Sequence, residues 1–349
     1  MRITFVLPGR SFSGGIRAPL RMASELMRRG HDVRVLYGKG PLNPRSVARR
    51  LYKKFIVKAP RDWIGRFDGH CSPFKNLTAE LVGERDVVVA IGPDRVEDIV
   101  KLPERCGRKV FSARGLTLRN PHLRESAWNT KIPKISVSNY VREEMSKSGV
   151  DNVRPVVPNG IDTSEYFPDE TDGGRIAIGT VYGDGVAKDP ETIISVFAKL
   201  YELRPEIPLV CFSSVRRPRQ LVRAVQFTRL PTVAAARSLY SKCAVWFCAS
   251  RSEGYPAPVL ESMACGCAVV CSDCGGPNDY LQPGVNGIVV EKENPDRMVE
   301  EIIKLIDDKA KRTQLVNGSM KTVKKLCWPS AASQMEAALQ GIVCGPLRV

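Results

Sequence analysis

The chain has 349 residues, of which 43% are hydrophobic and 26% charged, and a formal net charge of +16. This length is enough for two domains that each bury a core. No secretory pattern follows Met1, no apolar run is long enough to cross a bilayer, and there are eleven cysteines. These features argue against a secreted or membrane-spanning protein, and we expect a cytoplasmic location.

Short β-rich runs alternate with helical segments in the first part of the chain, as is typical of parallel α/β sheets. Strands are predicted at 3–7, 33–37, 87–91, 110–112 and 134–137. Helices are predicted at 16–29 and 138–148, the second with Ser138 as its N-cap. We expect residues 1–158 to form one doubly wound domain.

The first predicted strand leads into PGRSFSGGIR, residues 8–17. Gly9 and Gly14 have the spacing of a P-loop, but Gly15 and Ile16 stand where the lysine and hydroxyl of that motif would be. What remains is a glycine turn before a helix start, where a ligand can approach the backbone closely. Arg17 is a candidate anion contact. A tight turn without a ligand is the alternative.

The excess positive charge lies in the first part of the chain. Residues 1–160 hold 31 Lys and Arg against 15 Asp and Glu, whereas the remaining residues are balanced. The densest segment is 42–67, where basic residues alternate with aromatic and aliphatic ones. This mixture favours an anionic membrane surface. A solvated basic face and a nucleic-acid contact are the alternatives, although no nucleic-acid recognition motif accompanies the charge.

A second α/β series follows the turn VVPNGID at 156–162. Strands are predicted at 176–181, 209–212, 245–248, 268–271 and 287–290. Helices are predicted at about 190–203, 233–242, 258–265, 294–308 and 330–340. Two doubly wound halves joined by a short hinge imply a cleft between them, with ligands beyond the carboxyl ends of the strands.

Two motifs of this second series are suited to a nucleotide. The loop GTVYGDGVAKDPETI, residues 179–193, carries Lys188, which we expect to meet a phosphate without strong competition from nearby acids. In RSEGYPAPVLE, residues 251–261, the prolines put Glu253 on a loop and Glu261 early in a helix. The helix start suits phosphates and the two acids suit paired hydroxyls, so together they describe a nucleotide-sugar. A solvent-exposed lysine and two surface glutamates are the alternatives.

These motifs closely resemble the retaining glycosyltransferases of family 4, also called group 1. The resemblance is carried by EGY at 253–255, by ESMACG at 261–266, by AVVCSDCGGPND and PGVNGIVV, and by VPNGID and SGGIR. It implies a GT-B fold, in which two Rossmann-like doubly wound parallel-sheet domains face a central cleft. The implied domains are 1–158 for the acceptor and 159–325 for the donor. Residues 326–349 would form a helix that returns to the first domain.

The resemblance also implies roles for individual residues. Glu261 would bind the ribose and Glu253 would lie beside the donor sugar, while Lys188 contacts the diphosphate. The implied donor-binding set is Gly14, Gly15, Lys188, Glu253, Gly254, Tyr255, Pro256, Ala257, Pro258, Val259 and Glu261. Within it, the backbone N–H groups of Tyr255, Ala257 and Val259 would contact the sugar and phosphates.

Three positions depart from the family pattern. Thr180 replaces an arginine, so either diphosphate binding is weaker or another cation, such as Arg216, Arg217 or Arg114, takes its place. His122 is the nearest histidine to the place of a family histidine and is the third candidate catalytic residue, beside Glu253 and Lys188. Pro256 replaces a glycine and removes one N–H donor.

No metal is expected, because the sequence has no Asp-x-Asp and Lys188 can neutralise the leaving group. Four closely spaced cysteines, Cys265, Cys267, Cys271 and Cys274, have a spacing that resembles a zinc site. They are interpreted as packed small residues.

The sequence therefore predicts transfer of a hexose-type sugar from a nucleoside diphosphate-sugar, with retention, to a lipid-linked or other anionic acceptor. The implied setting is envelope polysaccharide or glycolipid assembly at the inner face of the membrane. The alternatives are a non-catalytic sugar-nucleotide-binding protein and a basic nucleic-acid-binding protein.

Overall fold

The computed structural model describes residues 1–11, 13–39, 62–116, 121–153, 155–169 and 174–345. Two six-stranded parallel sheets are formed within these ranges. Most of the basic segment 42–67 lies outside the described residues, so the membrane-contact hypothesis for that segment has no structural test here. In the described part of the chain, no helix combines the length and the apolar character needed to span a bilayer.

The first sheet has the spatial order β3-β2-β1-β4-β5-β6. Its strands are β1 (Arg2–Leu7), β2 (Asp32–Gly38), β3 (His70–Phe74), β4 (Val87–Ile91), β5 (Arg108–Ala113) and β6 (Lys134–Ser136). Its helices are α1 (Gly14–Arg28), α2 (Ala79–Val82), α3 (Val96–Val100), α4 (Pro121–Trp128) and α5 (Asn139–Lys147). The central strands are apolar because helices cover both faces of a doubly wound sheet.

The second sheet repeats this winding, with the order β12-β11-β10-β7-β8-β9. Its strands are β7 (Ala177–Tyr182), β8 (Leu209–Ser213), β9 (Gln226–Arg229), β10 (Cys243–Cys248), β11 (Ala268–Ser272) and β12 (Ile288–Val290). The helices are α6 (Pro190–Leu203), α7 (Val233–Lys242), α8 (Ala257–Ala264), α9 (Pro295–Asp307), α10 (Lys309–Lys325) and α11 (Trp328–Cys344). In each sheet the order reverses between two central strands, and such a reversal opens a crevice for a ligand.

The last helix packs against the first domain. Trp328, Met335 and Leu339 of α11 are buried in one core with Leu26 of α1 and Val33 of β2. A helix at the end of the chain therefore completes the core that the first residues of the chain begin.

Two chain segments cross between the domains, and they touch each other. The Ile161 N–H donates to the Leu326 carbonyl at 2.7 Å. A Cβ atom at Gly160 would lie 2.3 Å from the Trp328 nitrogen, so this position has no room for a side chain. The contact fixes the hinge segment against the start of α11.

Candidate functional site

The candidate site lies where the order of the second sheet reverses, at the carboxyl ends of β7 and β10. β10 is followed by the loop 249–256, and Pro256 precedes α8 as its N-cap residue. The pocket formed here is lined by polar groups, prolines and apolar side chains, among them Trp246 and Phe247. They include Thr180, Lys188, Cys248, Ser250, Glu253, Pro256, Pro258 and Val259.

Glu253 is held in this pocket by both its backbone and its side chain. Its N–H donates to the Cys274 carbonyl at 2.8 Å, and its carbonyl accepts from the Gly276 N–H at 2.9 Å. The Ser250 hydroxyl donates to the Glu253 Oε1 atom at 2.8 Å. The carboxylate is 13% exposed, so a ligand in the pocket would meet an oriented acceptor.

Lys188 forms an ion pair with Glu253 across the pocket. The expectation that Lys188 is free of acidic competition is therefore wrong. The nearby acid in the sequence, Asp189, does not compete, because it pairs with Arg251 at 3.2 Å and caps α6 through Thr192. Burial opposes the charge of Lys188, but the Glu253 carboxylate outweighs it and raises the pKa of the lysine.

Glu261 lies in the second turn of α8 and is 7% exposed. The Tyr240 hydroxyl donates to its Oε2 atom at 2.9 Å. Its Oε1 atom accepts from Arg17 of the first domain at 2.7 Å. The predicted ribose-binding acid is thus buried at the domain boundary, with one oxygen bonded to each domain.

Arg17 forms ion pairs with two acidic residues in this structure. Besides Glu261, it pairs with Glu165 at 2.7 Å, and its guanidinium carbon lies 4.9 Å from the Trp63 ring centroid and 5.1 Å from that of Tyr166. Free anion contact by Arg17, as expected from the sequence, is not what is observed. The reason is that Glu165, in the segment after the hinge, forms an ion pair with Arg17. The sequence spacing does not predict this contact.

The start of α8 offers fewer donors than expected. The Val259 N–H donates to the Pro256 carbonyl at 3.2 Å, so it is already used within the helix. Pro256 and Pro258 have no N–H. Among the described residues, the N–H groups of Tyr255 and Ala257 have no hydrogen-bond partner, so these two donors are available to a ligand.

The first domain brings two elements to the same place. Gly14 and Gly15 form the exposed first turn of α1, and a Cβ atom at Gly14 would meet no atom within 4 Å. Gly254 in turn faces the first domain, because a Cβ atom there would lie only 2.1 Å from the Arg114 carbonyl oxygen. The absence of a side chain at position 254 allows the two domains to touch beside the pocket.

Arg114 differs from Lys188 and Arg17 in its partners. Its guanidinium donates to the Asn159 side-chain oxygen, and the described part of the chain gives it no carboxylate partner. Burial alone lowers the pKa of Arg114 to about 10. A half-buried cation without a carboxylate partner favours the arrival of an anion.

The other candidate cations and the histidine lie elsewhere. Arg217 donates to the carbonyls of Val225 and Val222 at 2.8 and 2.5 Å, so its guanidinium stabilises the loop that follows it. Arg216 is exposed. His122 lies at the start of α4 with 91% of its side chain exposed, 4.0 Å from a Glu125 carboxylate oxygen. Its catalytic role stays a prediction.

Several contributors were not identified from the sequence, namely Ser250, Tyr240, Glu165, Tyr166 and Asn159. Ser250 precedes Glu253 by three residues, which is a usable local signal. The others reach the site from distant parts of the chain and have no such signal.

Comparison with known proteins gives a family match in this region. Residues 181–322 match the family model described as glycosyl transferases group 1. A relative, the alpha-maltose-1-phosphate synthase of Mycobacterium tuberculosis, is 26% identical over 239 residues, which cover 57% of this chain and 60% of that protein.

A second relative is a Campylobacter jejuni enzyme, the N,N'-diacetylbacillosaminyl-diphospho-undecaprenol alpha-1,3-N-acetylgalactosaminyltransferase. It is 32% identical over 81 residues, or 23% of this chain and 22% of that protein. In both cases the chain covers less than two thirds of the relative's own length.

The fold is similar to that of a solved structure over nearly the whole chain. The structure of Anabaena HepE in complex with UDP superposes with a TM-score of 0.75 and 15% identity, covering 98% of this chain and 100% of that one. Together with the two parallel sheets, this likeness establishes the GT-B fold that the sequence predicted.

Proposed function

We propose that the chain moves a hexose-type sugar from a nucleoside diphosphate-sugar to an acceptor hydroxyl, in keeping with the match of residues 181–322 to the family model of the group 1 glycosyl transferases. One observation carries the proposal: two unpartnered N–H groups at the start of α8 lie between the half-buried Glu253 and the buried Glu261. The N–H groups suit phosphate oxygens and the acids suit sugar hydroxyls.

The diphosphate is held in this proposal by Tyr255, Ala257 and two cations. Lys188 is within reach of the pocket that the phosphates would enter, and its ion pair with Glu253 is exchanged for one with phosphate. Arg114 supplies the charge that the family arginine would give, since Thr180 instead donates its hydroxyl to the Phe247 carbonyl at 2.6 Å. The positive charge stabilises the leaving diphosphate, and no metal is expected there.

The two acids take the hydroxyl groups of the donor. Glu261 accepts from the ribose and Glu253 from the transferred sugar, which replaces Lys188 as the partner of that carboxylate. Gly14 and Gly15 leave space above the diphosphate on the side of the first domain. The ion pair between Lys188 and Glu253 is thus exchanged for a contact of each of these two groups with the donor.

We further propose that transfer retains the anomeric configuration. Attack and departure occur on one face of the sugar, and the departing phosphate accepts the proton of the acceptor hydroxyl. No side chain is assigned as a nucleophile, and His122 is assigned only as a candidate that assists the acceptor. The contact between Gly254 and Arg114 supports a closed cleft that excludes water during transfer.

The acceptor is proposed to be lipid-linked or otherwise anionic, in envelope polysaccharide or glycolipid assembly. Two observations support this: the basic first domain, and a Campylobacter relative whose name specifies an undecaprenol-diphosphate acceptor. Sedimentation with liposomes, with and without anionic lipid, tests the membrane part. Equal and negligible binding to both would remove it.

Donor binding is tested by the melting temperature of the chain with UDP, GDP, ADP and TDP and with their sugars. A ligand at 100 times its Kd stabilises the native state by about 2.7 kcal/mol, so one base should give a clear upward shift. Lys188→Ala should abolish most of this shift. Lys199→Ala is the matched control, because both lysines form ion pairs and their side chains are 38% and 39% exposed.

The result separates the alternatives. An equal shift in wild type and Lys188→Ala, or no shift with any nucleoside diphosphate, contradicts the donor site. A shift without release of nucleoside diphosphate on incubation with donor would identify a non-catalytic binder. Salt-sensitive RNA binding that Glu261→Ala leaves unchanged would favour the nucleic-acid alternative.

A further inference from the structure

Three thiols meet behind the loop that carries Glu253. Cys248 ends β10, Cys271 is the fourth residue of β11, and Cys274 follows two residues after β11. Their sulfur atoms all lie within 4.8 Å of one another. Among the described residues this is the one group of at least three cysteine, histidine or acidic side chains close enough to share a metal ion.

The fold explains why these three residues meet. Cys248 and Cys271 are register partners on adjacent parallel strands, so their side chains point to the same face of the sheet. The Cys274 N–H donates to the Ser272 carbonyl at 2.7 Å, and this tight turn returns the third thiol to the other two. The positions are thus set by the sheet and not by flexible side chains.

The cluster differs from the quartet suggested by cysteine spacing. Cys267 is elsewhere, with its thiol donating to the Tyr240 carbonyl at 3.1 Å, and Cys265 is not part of the group. The spacing missed Cys248, which precedes Cys271 by more than twenty residues. Only the pairing of the two strands brings it in.

The size of the triangle suits a zinc-class ion. Three atoms that are at most 4.8 Å apart share a point roughly 2.8 Å or less from each of them, which is 4.8 Å divided by √3. A zinc–thiolate bond is about 2.3 Å long, so inward movements of about 0.5 Å or less complete the coordination. Thiolate ligands select zinc and softer ions over magnesium or calcium.

An ion would have an access route to the three thiols through the pocket. Cys271 and Cys274 are buried, whereas Cys248 is half-buried and lines the same pocket as Lys188. The Ser250 hydroxyl oxygen lies 3.7 Å from the Cys248 sulfur, so a polar group adjoins the three thiols on the side of Cys248. The ion can therefore enter from the pocket.

We infer that Cys248, Cys271 and Cys274 form a site for one thiophilic divalent ion of the zinc class. This site is independent of the proposed sugar transfer, and no step of that transfer is assigned to the ion. Its structural effect falls on the loop of Glu253, because the Glu253 N–H is bonded to the Cys274 carbonyl. Binding is expected to hold β10, β11 and that loop together.

The test uses the full chain, reduced and treated with a chelator, and titrated with Co²⁺ and with Cd²⁺. We expect one ion per chain, a thiolate-to-metal charge-transfer band, and displacement of Co²⁺ by Zn²⁺. Cys274→Ala should weaken binding by more than about 100-fold, which is the upper range for loss of a merely supporting contact of a metal ligand. Cys248→Ala, at a half-buried position, provides a second variant if the first does not fold.

The matched control is Cys243→Ala, which removes a buried cysteine from the other end of β10. It should leave the band and the stoichiometry unchanged. The inference is overturned if no charge-transfer band develops, or if both trio variants bind as tightly as wild type.

Discussion

At the scale of single residues, the site is defined by how buried charges are paired. Glu253 and Glu261 each have a cation on one carboxylate oxygen, and the two cations come from different domains. The acids and Lys188 could be identified from motif and proline chemistry. Their pairing could not, because Arg17 and Glu261 are 244 residues apart and no local pattern links them.

The Arg17 ion pairs should contribute strongly to stability. Arg17→Ala leaves Glu261 without its cation, whereas Glu165 keeps its ion pair with Arg21. Breaking a buried pair costs about 3–5 kcal/mol, with the lower end expected here because only one acid loses its cation. Urea unfolding measures the loss. The double variant Arg17→Ala/Glu261→Ala should be less destabilised than the sum of the two single variants. Additive effects would contradict direct coupling.

Lys134 should make stability depend on pH. Its side chain is buried in β6, and burial lowers its pKa to about 8 from an ordinary value of 10.5. The unfolded chain therefore binds more protons between pH 8 and 10.5, so the contribution of Lys134 to stability rises across that window. We expect the stability difference between wild type and Lys134→Met to change by up to about 3 kcal/mol.

The measurement is chemical unfolding of both proteins at several pH values from 7 to about 10.5. Comparing the two proteins removes the titration of cysteines and tyrosines, which they share. A difference that is constant with pH would show that Lys134 keeps its proton in the folded state.

At the scale of elements, strands and helices with many buried apolar residues were predicted and weakly apolar ones were missed. The prediction of β4 agrees with the structure at both ends, and Ser138 caps α5 as expected, accepting from the Val141 N–H at 3.2 Å. The edge strand β3 was missed because only its last residue is buried and because it contains Pro73. Among the helices, α10 was missed because few of its residues are buried.

The loop around Gly254 should not tolerate a side chain. Gly254→Ala places a Cβ atom against the Arg114 carbonyl, and backbone on both sides must move. We expect turnover to fall about 100-fold, as for a displacement of about 1 Å in a reacting geometry, with little change in melting temperature. Gly185→Ala is the control, because open space surrounds that position. Equal activity of both variants would contradict a closed cleft.

At the scale of the whole molecule, the chain is built as two similar halves that the last helix ties together. The first core contains residues from both ends of the described chain, because α11 packs on α1. The GT-B fold was predicted from the order of elements and the family-like motifs. The distance between the two domains was not predicted. It depends on contacts such as the one between Gly254, which has no side chain, and the Arg114 carbonyl.

Removing packing from α11 should destabilise the first domain. Leu339 is fully buried in that core, and truncating a buried leucine to alanine costs about 2–5 kcal/mol. We expect Leu339→Ala to show this loss in urea unfolding, with faster hydrogen exchange in β1 and β2. The exposed neighbour gives the control, Gln340→Ala, which should have little effect. Faster exchange confined to the second sheet would contradict the packing described.

The two crossing segments, which touch at Gly160 and Trp328, act as a hinge between the two domains. Two adjacent attachments define one axis of rotation and resist twisting about any other. The cleft therefore opens by a rotation of the domains about nearly one axis. Every opening and closing would follow the same path. A single covalent cross-link at the edge of the cleft opposite the two crossing segments would be enough to hold the domains closed.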